Sequence, residues 1–104
     1  MGLGEAMDAI DEAIDEDRHR IQEAFLQARA VHVVVAELRD ATTKFAAFHS
    51  AHEGWAVLME EVDELWEVVK LNQSTPERNA RMRKEAIQVA AMAIRFLVDC
   101  TEED

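Results

Sequence analysis

The sequence predicts an all-α protein, a helical bundle of three main helices completed by homo-oligomerisation. Three observations lead there. The 104 residues include 3 glycines, 1 proline and no tyrosine, a composition that favours helices over strands. Apolar residues recur at helical spacing along three stretches. The breaks between those stretches fall at short polar segments, so one domain spanning residues 1–104 is expected, with a long acidic helix over 1–40 and a core over 45–99.

The first helix is expected from Leu3 to about Arg39. Met7, Ile14, Ile21, Ala28 and Val35 repeat every seven residues, and Ile10, Ala24, Val31 and Leu38 fill the companion positions. This is a heptad seam, with Asp17 as its defect and a break near Asp15–Arg18 left open. Asp8, Asp11, Glu12, Asp15, Glu16 and Asp17 crowd the first half, which suits the positive end of the helix dipole, and they read as a solvated face. Asp40–Ala51, with Thr42, Thr43, Phe45 and Phe48, interrupts the pattern and reads as a connecting loop whose phenylalanines cover the core.

The second helix is expected over His52–Leu71, with Trp55, Leu58, Val62, Leu65, Trp66 and Val69 as its apolar stripe and both tryptophans in the core. Asn72–Pro76 is a turn. Ser74 with Glu77 makes a capping-box pattern, and Pro76 suits a first helical turn. The third helix then runs to about Asp99. Between Ala86 and Val98 only Gln88 and Arg95 are polar, which predicts burial on more than one side.

Composition excludes several functions. A formal net charge of −11 opposes unassisted binding to nucleic acid, whose phosphates require clustered Lys and Arg. The same charge attracts divalent cations and basic partners, an acidic decoy of a nucleic-acid-binding protein among them. The single Cys100 allows no internal disulfide and fits a reducing compartment. No basic patch followed by an apolar core opens the chain, and no apolar run approaches ~18 residues, so neither a signal peptide nor a membrane span is expected. A cytoplasmic protein is the expectation.

The carboxylates of the second helix carry the chemistry. Glu60, Glu61, Asp63, Glu64 and Glu67 form five like-charge pairs at i,i+3 or i,i+4. At roughly 0.2–0.5 kcal/mol each, these repulsions sum to about 1–2.5 kcal/mol unless a cation offsets them. On a helical wheel Glu61 and Glu64 fall beside the apolar stripe, whereas Glu60 and Asp63 point further out. Glu85, Gln88, Met92 and Arg81 share a face of the third helix. Carboxylates gathered from two helices are what a hard cation such as Mg²⁺ takes as ligands. His49 and His52 stand three apart but lack a third zinc ligand at suitable spacing, and capping or packing is the preferred reading. No Ser–His–Asp arrangement, glycine-rich phosphate loop or CxxC pair is present.

With these residues the chain resembles the MazG-like, all-α nucleoside triphosphate pyrophosphohydrolases, which carry E-E-x-x-E on one helix and E-x-x-D on the next. Glu60-Glu61-Val62-Asp63-Glu64 matches the first motif in full. Glu85-Ala86-Ile87-Gln88 matches the second except at its last position. The runs His52–Val57 and Arg83–Ala91 resemble a phage and actinobacterial branch of that family, and the resemblance covers about residues 45–99. It implies Mg²⁺-dependent hydrolysis of a (deoxy)nucleoside triphosphate to monophosphate and pyrophosphate by a homodimer or dimer of dimers. Glu61, Glu64 and Glu85 would then be metal ligands, with Gln88 in the aspartate's place. Glu60 would hold the attacking water. Lys84, Arg81, Arg95 and Lys70 are the candidate phosphate contacts, and an ion pair with a buried glutamate is the structural alternative for Arg95. Because an amide oxygen brings no negative charge, Gln88 also leaves open a catalytically weak or inactive helical module for assembly or partner binding.

Overall fold

The computed structural model describes residues 2–103; Met1 and Asp104, the ends of the expected domain, lie outside them. The architecture is all-α, with three helices in the order α1 (Leu3–Lys44), α2 (Ala51–Val69) and α3 (Arg78–Cys100), and no strand among the described residues. No described helix is long and apolar enough to cross a membrane. The chain divides into two compact units, one ending at His32 and the other beginning at Val33.

In the first unit the helix is continuous, without a break at Asp15–Arg18. Arg20 pairs with Asp17, and His19 with Glu23 at 3.1 Å. Both pairs are three or four residues apart along the helix and so support it locally. Its seam is uncovered: Met7, Ile10, Ile14, Ile21 and Val31 are all exposed.

In the second unit α1 continues to Lys44, five residues beyond its expected end. The two threonines do not break it, because their hydroxyls donate to the carbonyls of Arg39 and Asp40, at 3.0 and 2.7 Å, inside the helix. Lys44 adds an ion pair to Asp40. The connection therefore shrinks to residues 45–50, and Ser50 caps α2 by accepting the Glu53 N–H at 3.1 Å. A serine at this position satisfies one of the orphan donors of the first turn.

The core consists of Ala41, Phe48, Ala91 and Met92, with Val34, Leu38, Val57, Leu58, Phe96 and Cys100 packed against it. Helices α2 and α3 pair directly, and the end of α1 joins them through side chains. Phe48 is buried as expected, but Phe45 is exposed. The segment holding Phe48 is fastened to the end of α3: its N–H donates to Asp99 at 3.1 Å, and Arg95 donates to the Ala46 carbonyl at 2.6 Å.

Three expectations need correction. Trp55 and Trp66 are 59% and 56% exposed, because α2 buries only a narrow strip against α3. Helix α3 buries Ala91, Met92 and Arg95, whereas Leu97 and Val98 lie open, without the cover expected on a second side among the described residues. The Ser74–Glu77 capping box does not form. Asn72 Oδ1 instead accepts both the Ser74 N–H and its hydroxyl at 2.9 Å, a local turn that competes with capping. Glu77 itself becomes the N-cap residue, with φ 66° and no side-chain cap bond. Arg78 reaches back to the Val69 carbonyl at 2.9 Å and so closes the end of α2.

Gly54 marks a close approach of α2 to α3 and to Phe48. A Cβ there would stand 2.8 Å from Phe96 Cδ2, 3.0 Å from Cys100 Sγ and 3.1 Å from Phe48 Cδ2. Helix propensity alone would make Gly54→Ala stabilising by about 1 kcal/mol. Overpacking costs about 1–3 kcal/mol, so the variant should unfold at or below the wild-type denaturant midpoint, and Gly54→Leu well below it. A gain of about 1 kcal/mol for Gly54→Ala would show that the rings move aside freely.

Candidate metal centre

Glu61 and Glu64 project from α2 one turn apart, and Glu85 projects from the facing α3. Among the described residues these three form the one group of acids, cysteines and histidines assembled closely enough for a shared ion, with one ligand oxygen from each lying within 4.8 Å of the others. Glu61 and Glu85 are half-buried and Glu64 is exposed. Hard cations bind oxygens at about 2.0–2.6 Å, so oxygens ligating one ion stand up to about 4–5 Å apart. The cluster fits that span, and three glutamates in this arrangement could bind a metal.

The electrostatics agree with the geometry. Burial pushes the Glu61 carboxyl from its ordinary 4.5 up to about 7, assisted by the charge and hydrogen bond of Glu64, then by the charges of Glu85 and Glu60. A group in this state exchanges its proton for a cation near neutral pH.

Glu61 and Gln88 also line a cavity of about 620 Å³ formed by the end of α1, the 45–50 segment, α2 and α3. Phe45, Phe48, Val57 and Met92 give it apolar walls, and Arg95 contributes a buried cation. Arg95 is only 4% exposed. Its guanidinium lies 4.5 Å from the centroid of the Phe48 ring, its Nε has no partner, and among the described residues no carboxylate pairs with it. The expected alternative of a structural ion pair is therefore not realised. An uncompensated guanidinium in a cavity wall favours an anion.

The remaining sequence candidates are dispersed. Glu60 is exposed on α2 and is outside the carboxylate cluster, although near enough to act on Glu61. Gln88 donates its amide to Glu37 at 2.7 Å. Lys84 lines a shallow hollow with Glu37, Arg83 and Gln88, and Arg81 is exposed. Lys70 is engaged by Glu67 at 2.7 Å and lies over the Trp66 ring. His49 is exposed and contacts Glu53, in the first turn of α2, at 3.1 Å. The Cys100 thiol is pushed up by burial and by the charges of Asp99 and Glu53, so it is held as a thiol. Glu37 escaped the sequence reading. It belongs to the heptad-bearing helix, and its partner is 51 residues away.

Fold and site together define an all-α protein with a candidate metal centre at the rim of a helix pair. No protein-family model matches the chain, and neither a curated protein nor a solved structure does.

The raised Glu61 carboxyl predicts a pH signature. Between about pH 4.5 and 7 the folded chain holds a proton that the unfolded chain has released. Stability is therefore fully present below the lower value and is lost as pH rises through the upper one. Without divalent cations, urea denaturation should show this decline for the wild type. Glu61→Gln should flatten it and exceed wild-type stability at pH 8. An equally steep decline in the variant would remove Glu61 as its source.

Proposed function

We propose that this protein is a Mg²⁺-dependent nucleotide pyrophosphohydrolase that cleaves a (deoxy)nucleoside triphosphate into the monophosphate and pyrophosphate. The observation that carries the reading is the convergence of Glu61, Glu64 and Glu85 to within 4.8 Å, beside a cavity whose wall holds a buried arginine with no carboxylate partner among the described residues. The E-E-x-x-E pattern of residues 60–64 and its resemblance to the MazG-like family choose this chemistry among the uses of a cation site.

In this reading Glu61, Glu64 and Glu85 would hold the cation, and the Gln88 amide oxygen would add a neutral ligand. Magnesium, when bound, supplies charge neutralisation of the triphosphate and a more acidic water. Glu60 orients the attacking water and takes its proton as oxygen adds to the α-phosphorus and the α–β bond breaks. Arg95 offsets charge on the phosphates from within the cavity, where low polarity strengthens the contact, and Lys84 does so from the adjoining hollow. Arg81 and the already paired Lys70 are left with weaker claims. A cytoplasmic homodimer or dimer of dimers accompanies this reading, since Trp55, Trp66, Leu97 and Val98 remain exposed in the single chain and an isolated Cys100 suits a reducing compartment.

The test is a panel of ribo- and deoxynucleoside triphosphates with Mg²⁺, scored for pyrophosphate. At least one should be cleaved, and Glu61→Gln or Glu64→Gln should lower that rate on the order of 100-fold or more. If no nucleotide is cleaved and calorimetry finds no Mg²⁺ binding, the proposal is wrong.

A second reading, a helical assembly module without catalysis, is favoured by one observation, the uncovered seam of Met7, Ile10, Ile14, Ile21 and Val31. It predicts that deleting residues 1–20 abolishes oligomers, measured by light scattering, while Mg²⁺ and nucleotide leave the melting temperature unchanged.

A further inference from the structure

The half-buried Glu37 of α1 has one hydrogen-bond partner among the described residues, the Gln88 side chain of α3 at 2.7 Å, and it forms no ion pair there. An ionised carboxylate can only accept a hydrogen bond, so the contact is possible in one orientation of the amide: Nε2 faces Glu37 and Oε1 faces away from it. This removes the two-fold ambiguity an amide otherwise has. It leaves the carbonyl oxygen as the atom Gln88 presents to its other surroundings. Gln88 stands one turn beyond Glu85, on the same side of α3, and it lines the same cavity as Glu61 and Glu37.

We infer that Glu37 is a positioning residue of the cation centre, locking the Gln88 amide so that its carbonyl oxygen is a fixed neutral donor beside the three glutamates. The inference rests on the cation site proposed above. Negative charge on Glu37 also polarises the amide, which makes Oε1 a better ligand for a hard cation. The fourth negative charge of the centre thus sits behind a neutral ligand rather than on it. This arrangement spares the cluster a fourth mutually repelling carboxylate when no cation is bound. The role does not extend to touching the substrate.

The experiment is calorimetric titration of the full chain with Mg²⁺, alongside circular dichroism to confirm that each variant is folded. Glu37→Gln should weaken binding about 10- to 100-fold, the usual range for an outer partner of a metal ligand. In a Gln88→Ala background the same substitution should have no further effect. The exchanged pair Glu37→Gln with Gln88→Glu reverses the direction of the hydrogen bond while conserving total charge, and it should restore affinity to the wild-type level or above. A purely structural brace would change stability without this coupling or rescue. Wild-type binding that is lost in Glu61→Gln but indifferent to Glu37→Gln, or equally weakened by it with and without Gln88, overturns the role of Glu37 and leaves the cation site standing. Absence of any Mg²⁺ binding by the wild type overturns both.

Discussion

The second unit is organised around a repulsion. Pairing α2 with α3 brings Glu61, Glu64 and Glu85 together at the edge of the core, where water can relieve their mutual charge only in part. Such a cluster is stable in two conditions: one carboxyl keeps a proton, or a cation takes the proton's place. The upward displacement of Glu61 to about 7 is the first condition expressed near neutral pH. The second is the basis of the proposed chemistry. The packing that creates the strain consists of small residues and a fixed glycine. Ala91 is fully buried and Gly54 admits Phe96, Cys100 and Phe48 to its Cα. A larger residue at Gly54 would press on Phe96 and Cys100 of α3.

Arg95 presents the opposite problem in the same cavity. A guanidinium this deeply buried is normally held by a carboxylate, because an unpaired charge in a poorly polar setting is destabilising. Here it has the Ala46 carbonyl, the face of Phe48 and a distant contact with the Met92 sulfur at 3.9 Å. These contacts fix the side chain in place without neutralising it. The 45–50 segment is thereby tied to α3, so the residue that anchors the cavity wall is also its buried positive charge. The cavity is lined by Glu37 and Asp40 of α1, by Glu53 and Glu61 of α2, and by two cations, of which Lys44 is engaged by Asp40 while Arg95 has no carboxylate partner among the described residues.

Much of this was legible in the sequence, for reasons that also explain the rest. Three helices could be read from apolar spacing because an amphipathic stripe is a local property. Glu61 and Glu64 could be paired because three residues on one helix make them neighbours by geometry alone. Legibility ended where a contact joined distant segments. The Glu37–Gln88 bond spans 51 residues and has no signature at either end. Arg95 could be singled out as a polar residue in an apolar helix, but its acceptor is a backbone carbonyl 49 residues earlier, and carbonyls are invisible to side-chain patterns. Thr42 and Thr43 suggested a break because hydroxyls compete for backbone groups; here they bond inside the helix instead. Trp55 and Trp66 were misplaced because periodicity identifies an apolar face without showing how much of that face a neighbour covers.

The acidic composition sharpens the distinction between charge and site. Asp8, Asp11, Glu12, Asp15, Glu16 and Asp17 also form a dense acidic run, and all six are exposed. Yet among the described residues they form no group tight enough for a metal, since carboxylates on the outside of one helix turn away from each other and are individually hydrated. Density therefore does not make a centre. The difference at Glu61 and Glu64 is a second helix carrying Glu85 toward them and an apolar interior that removes part of their hydration. The net charge of −11 raises the local concentration of every cation around the chain, but among the described residues only the facing pair of helices gathers carboxylates closely enough to share an ion.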